Sequence, residues 1–391
     1  MKQMKKRLCS LFTAALAVLT AAACPVQAAG GTGNNARSET ECSWKVLQDR
    51  VIELTYESFD YDAGAEYLLK HDPLAAAKGG CSAVKITLGD KVYVGRDYDF
   101  YCTDTPAFIV RNNAGKYRTI GIGNGPVSLP DWSEDFTLPD SVTAIAPYIC
   151  CDVMSEAGLY CEVNIRPYEE ALECVSTNPG AKRMWTSCFL QTMLSNYGSI
   201  DEILAHIDDY DWFGMKDMGF EEAFFITDQS GRSIIVEFAD NSWHYQESQY
   251  NANFYINNDL YARETLGCGE MRLAHELSYL PYVREEEDIF TMMQQGAYGQ
   301  FYTAECDPAY AYPEYYEVTG YNRLTAETDM EGCLAATAEK IRQFSEYSWE
   351  KKVERKCWES TFITAANITD LYLHVHFSEH YGIDFTVAFD N

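Results

Sequence analysis

Two β-rich runs, 83–88 and 91–95, flank Gly89-Asp90, and this arrangement constrains the fold more than any other stretch of the chain. A Gly-Asp step between strand-forming runs is a two-residue hairpin signal, because glycine supplies the positive φ such turns need. The hairpin opens at Cys81 and returns through Gly95-Arg96-Asp97-Tyr98-Asp99. Further strands are expected at 107–111, 117–121, 142–149 and 159–165. Helices follow at 182–197 and 200–207, the second opening on Ser199-Ile200-Asp201-Glu202, a capping-box pattern. Strands return at 223–227 and 233–238 around the Asp228-Gln229-Ser230-Gly231 turn, and again at 253–257. A helix is expected over 270–295 and another over 330–352, separated by a Tyr- and Pro-rich stretch, 297–328. Strands at 370–377 and 384–389 finish the chain.

Upstream of the hairpin, Trp44, Leu47, Val51, Leu54 and Tyr56 come close to helical spacing, which predicts a helix over 44–61. A second short helix is expected over 63–70. Strands, then helices, then strands again predict an α+β layered domain with antiparallel sheets.

The first 28 residues read as a signal peptide. Lys2, Lys5, Lys6 and Arg7 precede an apolar run over 8–24, and Val26-Gln27-Ala28 fits a signal peptidase site. A secreted protein, or one on the exterior of the cell envelope, is expected. Lipid anchoring at Cys24 is the lesser reading, because Ala21 stands where Leu is preferred. No later stretch reaches 18 apolar residues, so no stable membrane span is expected after cleavage. Residues 29–44 are Gly, Asn, Ser and Thr rich and read as a flexible leader.

Acidic residues number 59 against 30 basic ones, a formal charge of -29 that repels phosphate backbones and argues against a nucleic-acid partner. No CxxC pair is present, and His374-Val375-His376 lacks a third ligand at useful spacing, so neither metal nor cofactor is expected. Gly121-Ile122-Gly123-Asn124-Gly125 has no following Lys and reads as a loop rather than a phosphate cradle. Buried thiols and disulfides both remain open for the cysteines, as does a homo-oligomer.

The reactive constellation lies at the hairpin. Cys81 opens one strand, and Arg96 and Asp99 sit on its partner. A guanidinium beside a thiol lowers its pKa, and a carboxylate can accept a hydrogen bond from an amine. Taken alone, Cys81 reads as a core thiol and Arg96 with Asp99 as an ion pair in a turn.

Taken in order, these residues resemble the choloylglycine hydrolase family of linear-amide hydrolases, which includes bile-salt hydrolases and penicillin V acylases. The family pattern is a Cys opening the first strand and a G-R-N-x-D-like turn about 15 residues later. Here the turn has Asp97 where Asn is usual. Ser155-Glu156-Ala157-Gly158-Leu159 is similar to the family's N-E-K-G-L. Val163-Asn164-Ile165-Arg166-Pro167 resembles its L-N-F-P, with the spacing between the two one residue short. Tyr255-Ile256-Asn257-Asn258 sits where the family has a T-N step, which points to Asn258. Arg272, in Glu270-Met271-Arg272-Leu273, lies where a family Arg opens a helix. The resemblance covers roughly 81–295 and 358–391 and leaves about 297–352 as an insertion.

The resemblance implies a four-layer αββα sandwich of the N-terminal-nucleophile hydrolase type. It implies 29–80 as a pro-segment and 81–391 as the catalytic domain, with self-cleavage at Gly80–Cys81. Its site residues map to Cys81 as nucleophile, Asp99 orienting the α-amine, and Arg96 and Arg272 stabilising charge. Asn258 and Asn164 would hold the oxyanion. The implied partner is a small-molecule N-acyl amide. An acyltransferase using the same thioester, and a non-catalytic binding protein on the same scaffold, are the alternatives.

Overall fold

A computed structural model describes residues 40–48, 51–61, 79–100, 107–124, 138, 140–166, 178–213, 221–239, 242–253, 269–299, 359–377 and 383–389. In chain order the first strands are β1 (Glu41–Gln48), β2 (Val51–Ser58), β3 (Gly79–Leu88), β4 (Lys91–Phe100), β5 (Ala107–Asn112), β6 (Thr119–Asn124), β7 (Cys150–Ser155) and β8 (Leu159–Arg166). They are followed by β9 (Lys182–Trp185), β10 (Tyr210–Phe213), β11 (Glu221–Asp228), β12 (Ser233–Ala239), β13 (Ser242–Glu247), β14 (Tyr250–Ala252), β15 (Glu359–Asn367), β16 (Tyr372–Phe377) and β17 (Asp384–Ala388). The helices are α1 (Asp140–Ile145), α2 (Phe189–Asn196), α3 (Ile200–His206), α4 (Gly269–Tyr279) and α5 (Glu286–Gly299).

Two large sheets carry this α+β fold. One has nine strands in the order β1-β2-β5-β6-β7-β8-β11-β12-β13, and the other has six in the order β14-β3-β4-β15-β16-β17. All neighbours in both are antiparallel except β2 and β5, which run parallel. The predicted hairpin is β3–β4, pairing Leu88 with Lys91 across Gly89, whose φ is 64°. It lies inside the six-stranded sheet, between β14 and β15.

Two apolar clusters hold the layers. Ile109, Ile122, Met154, Phe225 and Ile235 of the larger sheet share one with Ala83, Val94, Phe362 and Val375 of the smaller, and with Ile289 and Met293 of α5. Leu54, Phe108, Val153, Phe224 and Val236 share the other with Phe189, Leu190 and Met193 of α2 and Ile203 of α3. Gly95 sets the approach of α5: a Cβ there would meet Ile289 Cγ2 at 2.7 Å and Met293 Cγ at 3.1 Å. The glycine of the Gly-Arg-x-x-Asp turn thus lets a helix close on β4.

Several expectations are corrected. The stretch 44–61 is strand, not helix: β1 and β2 form a hairpin, so strand structure begins inside the expected leader, at Glu41. Helical spacing at 44, 47, 51 and 54 competes with alternation at 52, 54 and 56, and the sheet wins because Val51, Ile52, Leu54 and Tyr56 are all fully buried. Each such side chain contributes about 1.5–3 kcal/mol on burial.

Residues 142–149 form α1 and the 3₁₀ turn Ala146–Ile149 instead of a strand. Pro147 has no N–H for a ladder and suits the first turn of a helix. The helix expected over 182–197 is shorter, since 182–185 form β9, paired parallel with β10. Pro281, in the 3₁₀ turn Leu280–Tyr282, divides the helix expected over 270–295 into α4 and α5. The strand β14 ends at Ala252, ahead of the strand expected at 253–257, of which 254–257 lie outside the described residues. Residues 121–124 lie in β6 rather than a loop.

The Ser199 cap is present: its side chain accepts from Glu202 N at 3.1 Å, while Glu202 Oε2 accepts from Gly198 N at 2.8 Å. Among the described residues Cys81, Cys150, Cys161 and Cys188 are buried thiols outside any disulfide, and no helix is long and apolar enough to cross a membrane. The signal segment, the expected helices over 63–70 and 330–352, and the Tyr-rich stretch from 300 onward lie outside the described residues.

Candidate active site

Alternation along β3 and β4 sorts the site onto two faces. Cys81 pairs with Tyr98 and Ala83 with Arg96, so Cys81 and Arg96 share the face toward the nine-stranded sheet. Gly80 pairs with Asp99 and Ser82 with Asp97, so both aspartates share the opposite face, toward α4. The expected arrangement of Cys81 with Arg96 and Asp99 therefore divides. Arg96 addresses the sulfur, and Asp99 lies across the sheet from it.

On the sulfur side, Arg96 Nη2 lies 3.6 Å from Cys81 Sγ and donates to Val163 O at 2.9 Å. Its Nε contacts Asp152 Oδ1 at 2.8 Å and Glu162 Oε2 at 3.2 Å. The guanidinium also stacks 4.8 Å from the Tyr98 ring centroid. Every one of these side chains is buried, and a cation removed from water requires such counter-charge. Thr364 Oγ1 donates to Asp152 Oδ2 at 2.7 Å, and Asn251 Nδ2 to Glu162 Oε1 at 2.8 Å.

Asn164, buried on β8, joins the same cluster. With its amide nitrogen turned toward Glu162 it donates to Oε2 at 2.9 Å and accepts from Asn251 Nδ2 at 3.2 Å. Burial pushes the Glu162 carboxyl up to about 7, against the pull of Arg96 and Asn251. Burial likewise pushes the Cys81 thiol up; Arg96 is the largest influence in the opposite direction, while Glu162 adds to the rise.

The second face acts on the main chain of Cys81. Cys81 N donates to Asn253 Oδ1 at 2.6 Å, and Arg272 Nη2 donates to Cys81 O at 2.6 Å. Arg272 also donates to Asn253 Oδ1 and lies 3.7 Å from Asp99 Oδ2. Asn253 is held in turn, since its Nδ2 donates to Ile165 O at 2.5 Å. One turn along α4 from Arg272, Glu276 accepts from Ser82 Oγ. Burial and then Asp97 raise the Glu276 carboxyl well above its usual value.

Of the residues read from sequence, Cys81, Arg96, Asp99 and Arg272 converge here, and Asn164 lies beside them through Glu162. Asn258 falls outside the described residues. The asparagine at the Cys81 nitrogen is Asn253, which sequence reasoning passed over in favour of the Asn257-Asn258 step. Asp152 and Glu162 were also missed. Their signal is an acid embedded in an apolar strand, Cys-Cys-Asp-Val-Met and Tyr-Cys-Glu-Val, where burial demands a cation.

His374 has both ring nitrogens occupied, Nδ1 by Glu286 Oε1 at 2.6 Å and Nε2 by Asp384 Oδ1 at 2.7 Å. Among the described residues no three metal-ligating side chains form a metal site.

No family model matches the chain, and no curated protein matches it. Solved structures do. Penicillin V acylase from Agrobacterium tumefaciens is similar at 12% identity and a TM-score of 0.45, covering 79% of this chain and 86% of that one. Two variants of conjugated bile acid hydrolase from Clostridium perfringens are similar at 12% identity and TM-scores of 0.40 and 0.41, covering 79% of this chain and 92% of theirs. These are the two kinds of enzyme that the sequence motifs resemble.

Proposed function

We propose that the chain is an exported cysteine hydrolase of linear carbon–nitrogen amides, competent once the Gly80–Cys81 bond is cut. The observation that carries this reading is that Cys81 is engaged at three atoms. A cation faces its sulfur, Asn253 holds its nitrogen and Arg272 its carbonyl oxygen. A core thiol needs no such arrangement. A cysteine whose own amine must be aimed at its sulfur does.

In the uncut chain Gly79 and Gly80 continue β3 against Phe100 and Asp99. Attack by Cys81 Sγ on the Gly80 carbonyl carbon, with the thiol proton passing to the leaving nitrogen, gives a thioester and a free α-amine. Water then hydrolyses that thioester and restores the thiol. Gly80 suits the step because it leaves the approach unhindered.

In turnover the α-amine, whose ordinary pKa is near ~8, takes the thiol proton as sulfur attacks the substrate carbonyl. Backbone N–H groups with Asn258 are assigned to the oxyanion; Asn164, expected to share that part, has its amide nitrogen held by Glu162 Oε2 and Val163 O and braces the Arg96 cluster instead. The departing amine receives the proton from the α-ammonium and leaves a thioester, which water cleaves to the acid. Asn253 takes a different part, because its oxygen accepts from the Cys81 nitrogen and its nitrogen is held by Ile165 O. It orients the amine, and Asp99 acts on that end through Arg272. The four-layer αββα reading is supported by α2 against β6, β7 and β8 and by α4 and α5 against β3, β4 and β15. The substrate class is an N-acyl amide with an apolar body.

Intact mass and N-terminal sequencing of the purified protein test this reading, with Cys81→Ala alongside and a panel of N-acyl amines, N-acyl amino acids, conjugated bile salts and phenoxyacyl penicillins. We expect a chain beginning at Cys81, and release of free acid and amine, from the wild type alone. A Cys81→Ala protein that is processed and hydrolyses amides normally removes the mechanism. Added amine acceptors separate hydrolysis from acyl transfer.

A further inference from the structure

The segment ahead of the proposed cut is built into the sheet. β2 pairs in parallel with β5 from Val51 opposite Ala107 to Tyr56 opposite Asn112. Val51 enters the core between the sheets, while Ile52, Leu54, Tyr56 and Phe59 enter the other. The polar contacts also cross the cut. Tyr56 Oη donates to Thr143 O at 2.6 Å, and Asn113 N donates to Tyr56 O at 2.8 Å. Arg111 donates to Glu53 Oε2 and to Ala388 O, both at 2.8 Å, joining the segment to the last strand. Phe59 meets Tyr148 edge-on at 5.7 Å between centroids.

Removing this hairpin would leave β5 as an open edge. Ala107, Phe108, Ile109 and Val110 of β5 are buried on both faces, and an apolar strand of that kind exposed at an edge pairs with other chains. The bond to be cut lies elsewhere, at the start of β3 in the other sheet.

We propose that cleavage at Gly80–Cys81 yields a two-chain enzyme, in which the N-terminal piece stays as the outer hairpin of the nine-stranded sheet. The inference rests on the self-cleavage proposed above. Cutting frees the amine of Cys81 without dismantling the edge of the fold. Such a piece is a structural subunit, not a discarded leader.

The test is gel filtration of the processed full-length product in native buffer, followed by intact mass under denaturing conditions. Both pieces are expected in one peak at a 1:1 ratio, parting only in denaturant. A soluble, active chain beginning at Cys81 and lacking the N-terminal piece overturns the proposal. Absence of any break at Gly80–Cys81 removes the self-cleavage reading instead. Retention is then tested by a site-specific protease sequence inserted within 62–78. The cut chain must still carry its N-terminal piece through the column at 1:1, and loss of that piece overturns the proposal independently.

Discussion

Arg96 and Arg272 are both fully buried guanidiniums, one on each face of the β3–β4 hairpin, and they are compensated differently. Arg96 meets two carboxylates, Asp152 and Glu162, through its Nε, and turns Nη2 toward the sulfur and Val163 O. Arg272 lies 3.7 Å from Asp99 Oδ2 and donates to two neutral oxygens, the Cys81 carbonyl and the Asn253 amide. The first is an ion cluster whose field at the sulfur depends on how much of its charge the carboxylates cancel. The second is a positioning device whose value lies in geometry. Stability tests should therefore separate them from one side, and rate tests from the other.

The largest stability effect is expected at Arg96. Arg96→Met leaves Asp152 and Glu162 buried together without a cation, which costs about 3–5 kcal/mol. Adding Glu162→Gln should restore part of that loss in chemical denaturation, because one of the stranded charges is gone. If the double variant is no more stable than the single, the carboxylates are not what Arg96 compensates.

The largest rate effect is expected at Arg272. Arg272→Lys keeps a charge but loses the fork that spans Cys81 O and Asn253. A misplacement of about 1 Å at the nucleophile costs on the order of 10²-fold. The loss should appear in kcat with KM little changed, and in slower appearance of the Cys81 amino terminus. Asn253→Leu should reproduce the pattern more weakly, by about 10-fold, since it removes one acceptor at the nitrogen. Equal losses in kcat and substrate binding would place both residues in substrate recognition instead.

The parts of this comparison that could be read in the sequence are the parts that are local. The Gly95-Arg96-Asp97-Tyr98-Asp99 turn lies on one strand opposite Cys81, so a hairpin signal sufficed to bring it close. Which face each side chain takes also follows from pairing: Cys81 opposite Tyr98 sets Arg96 beside the sulfur and Asp99 away from it.

Asn253 is hidden because it follows a strand of only three residues, while Asn257-Asn258 a few positions on matches the T-N step of the motif. The β1–β2 hairpin was hidden by a conflict of periods. Its apolar residues at 44, 47, 51 and 54 fit a helix while those at 52, 54 and 56 fit a strand, and pairing with β5, distant in sequence, decides for the strand. Asp152 and Glu162 come from β7 and β8 of the other sheet, so no local pattern ties them to Arg96.

A subtler effect concerns pH. Glu162 titrates at about 7, so on the acid side of that value it is neutral and leaves more of the Arg96 charge acting on the sulfur. On the alkaline side it is ionised and opposes formation of the thiolate. Glu162→Gln should remove this step, leaving alkylation of Cys81 faster above pH 7 by about 10-fold, the equivalent of about one pKa unit. Rates of iodoacetamide modification against pH, in wild type and variant, measure it. Identical profiles would mean that Glu162 does not modulate Arg96.

The smallest effect sharpens the comparison from outside the site. His374 also sits between two carboxylates, Glu286 and Asp384, but it is partly exposed to solvent where Arg96 is sealed. Burial opposes its charge, yet the bonds to Glu286 and Asp384 outweigh this and raise its pKa above the usual value. A cation whose folded pKa is raised stabilises fully below the unfolded value, near ~6.5. That contribution is lost as pH rises through the raised one. His374→Gln should therefore lower the Tm slightly at acidic pH and leave it unchanged at alkaline pH, a difference below about 1 kcal/mol for so solvated a pair. Arg96 carries its charge throughout that range, so its variants should show no such convergence at high pH. If the His374 variant instead costs several kcal/mol, as expected for Arg96→Met, then the number of carboxylates around a cation, not its burial, sets what its loss costs.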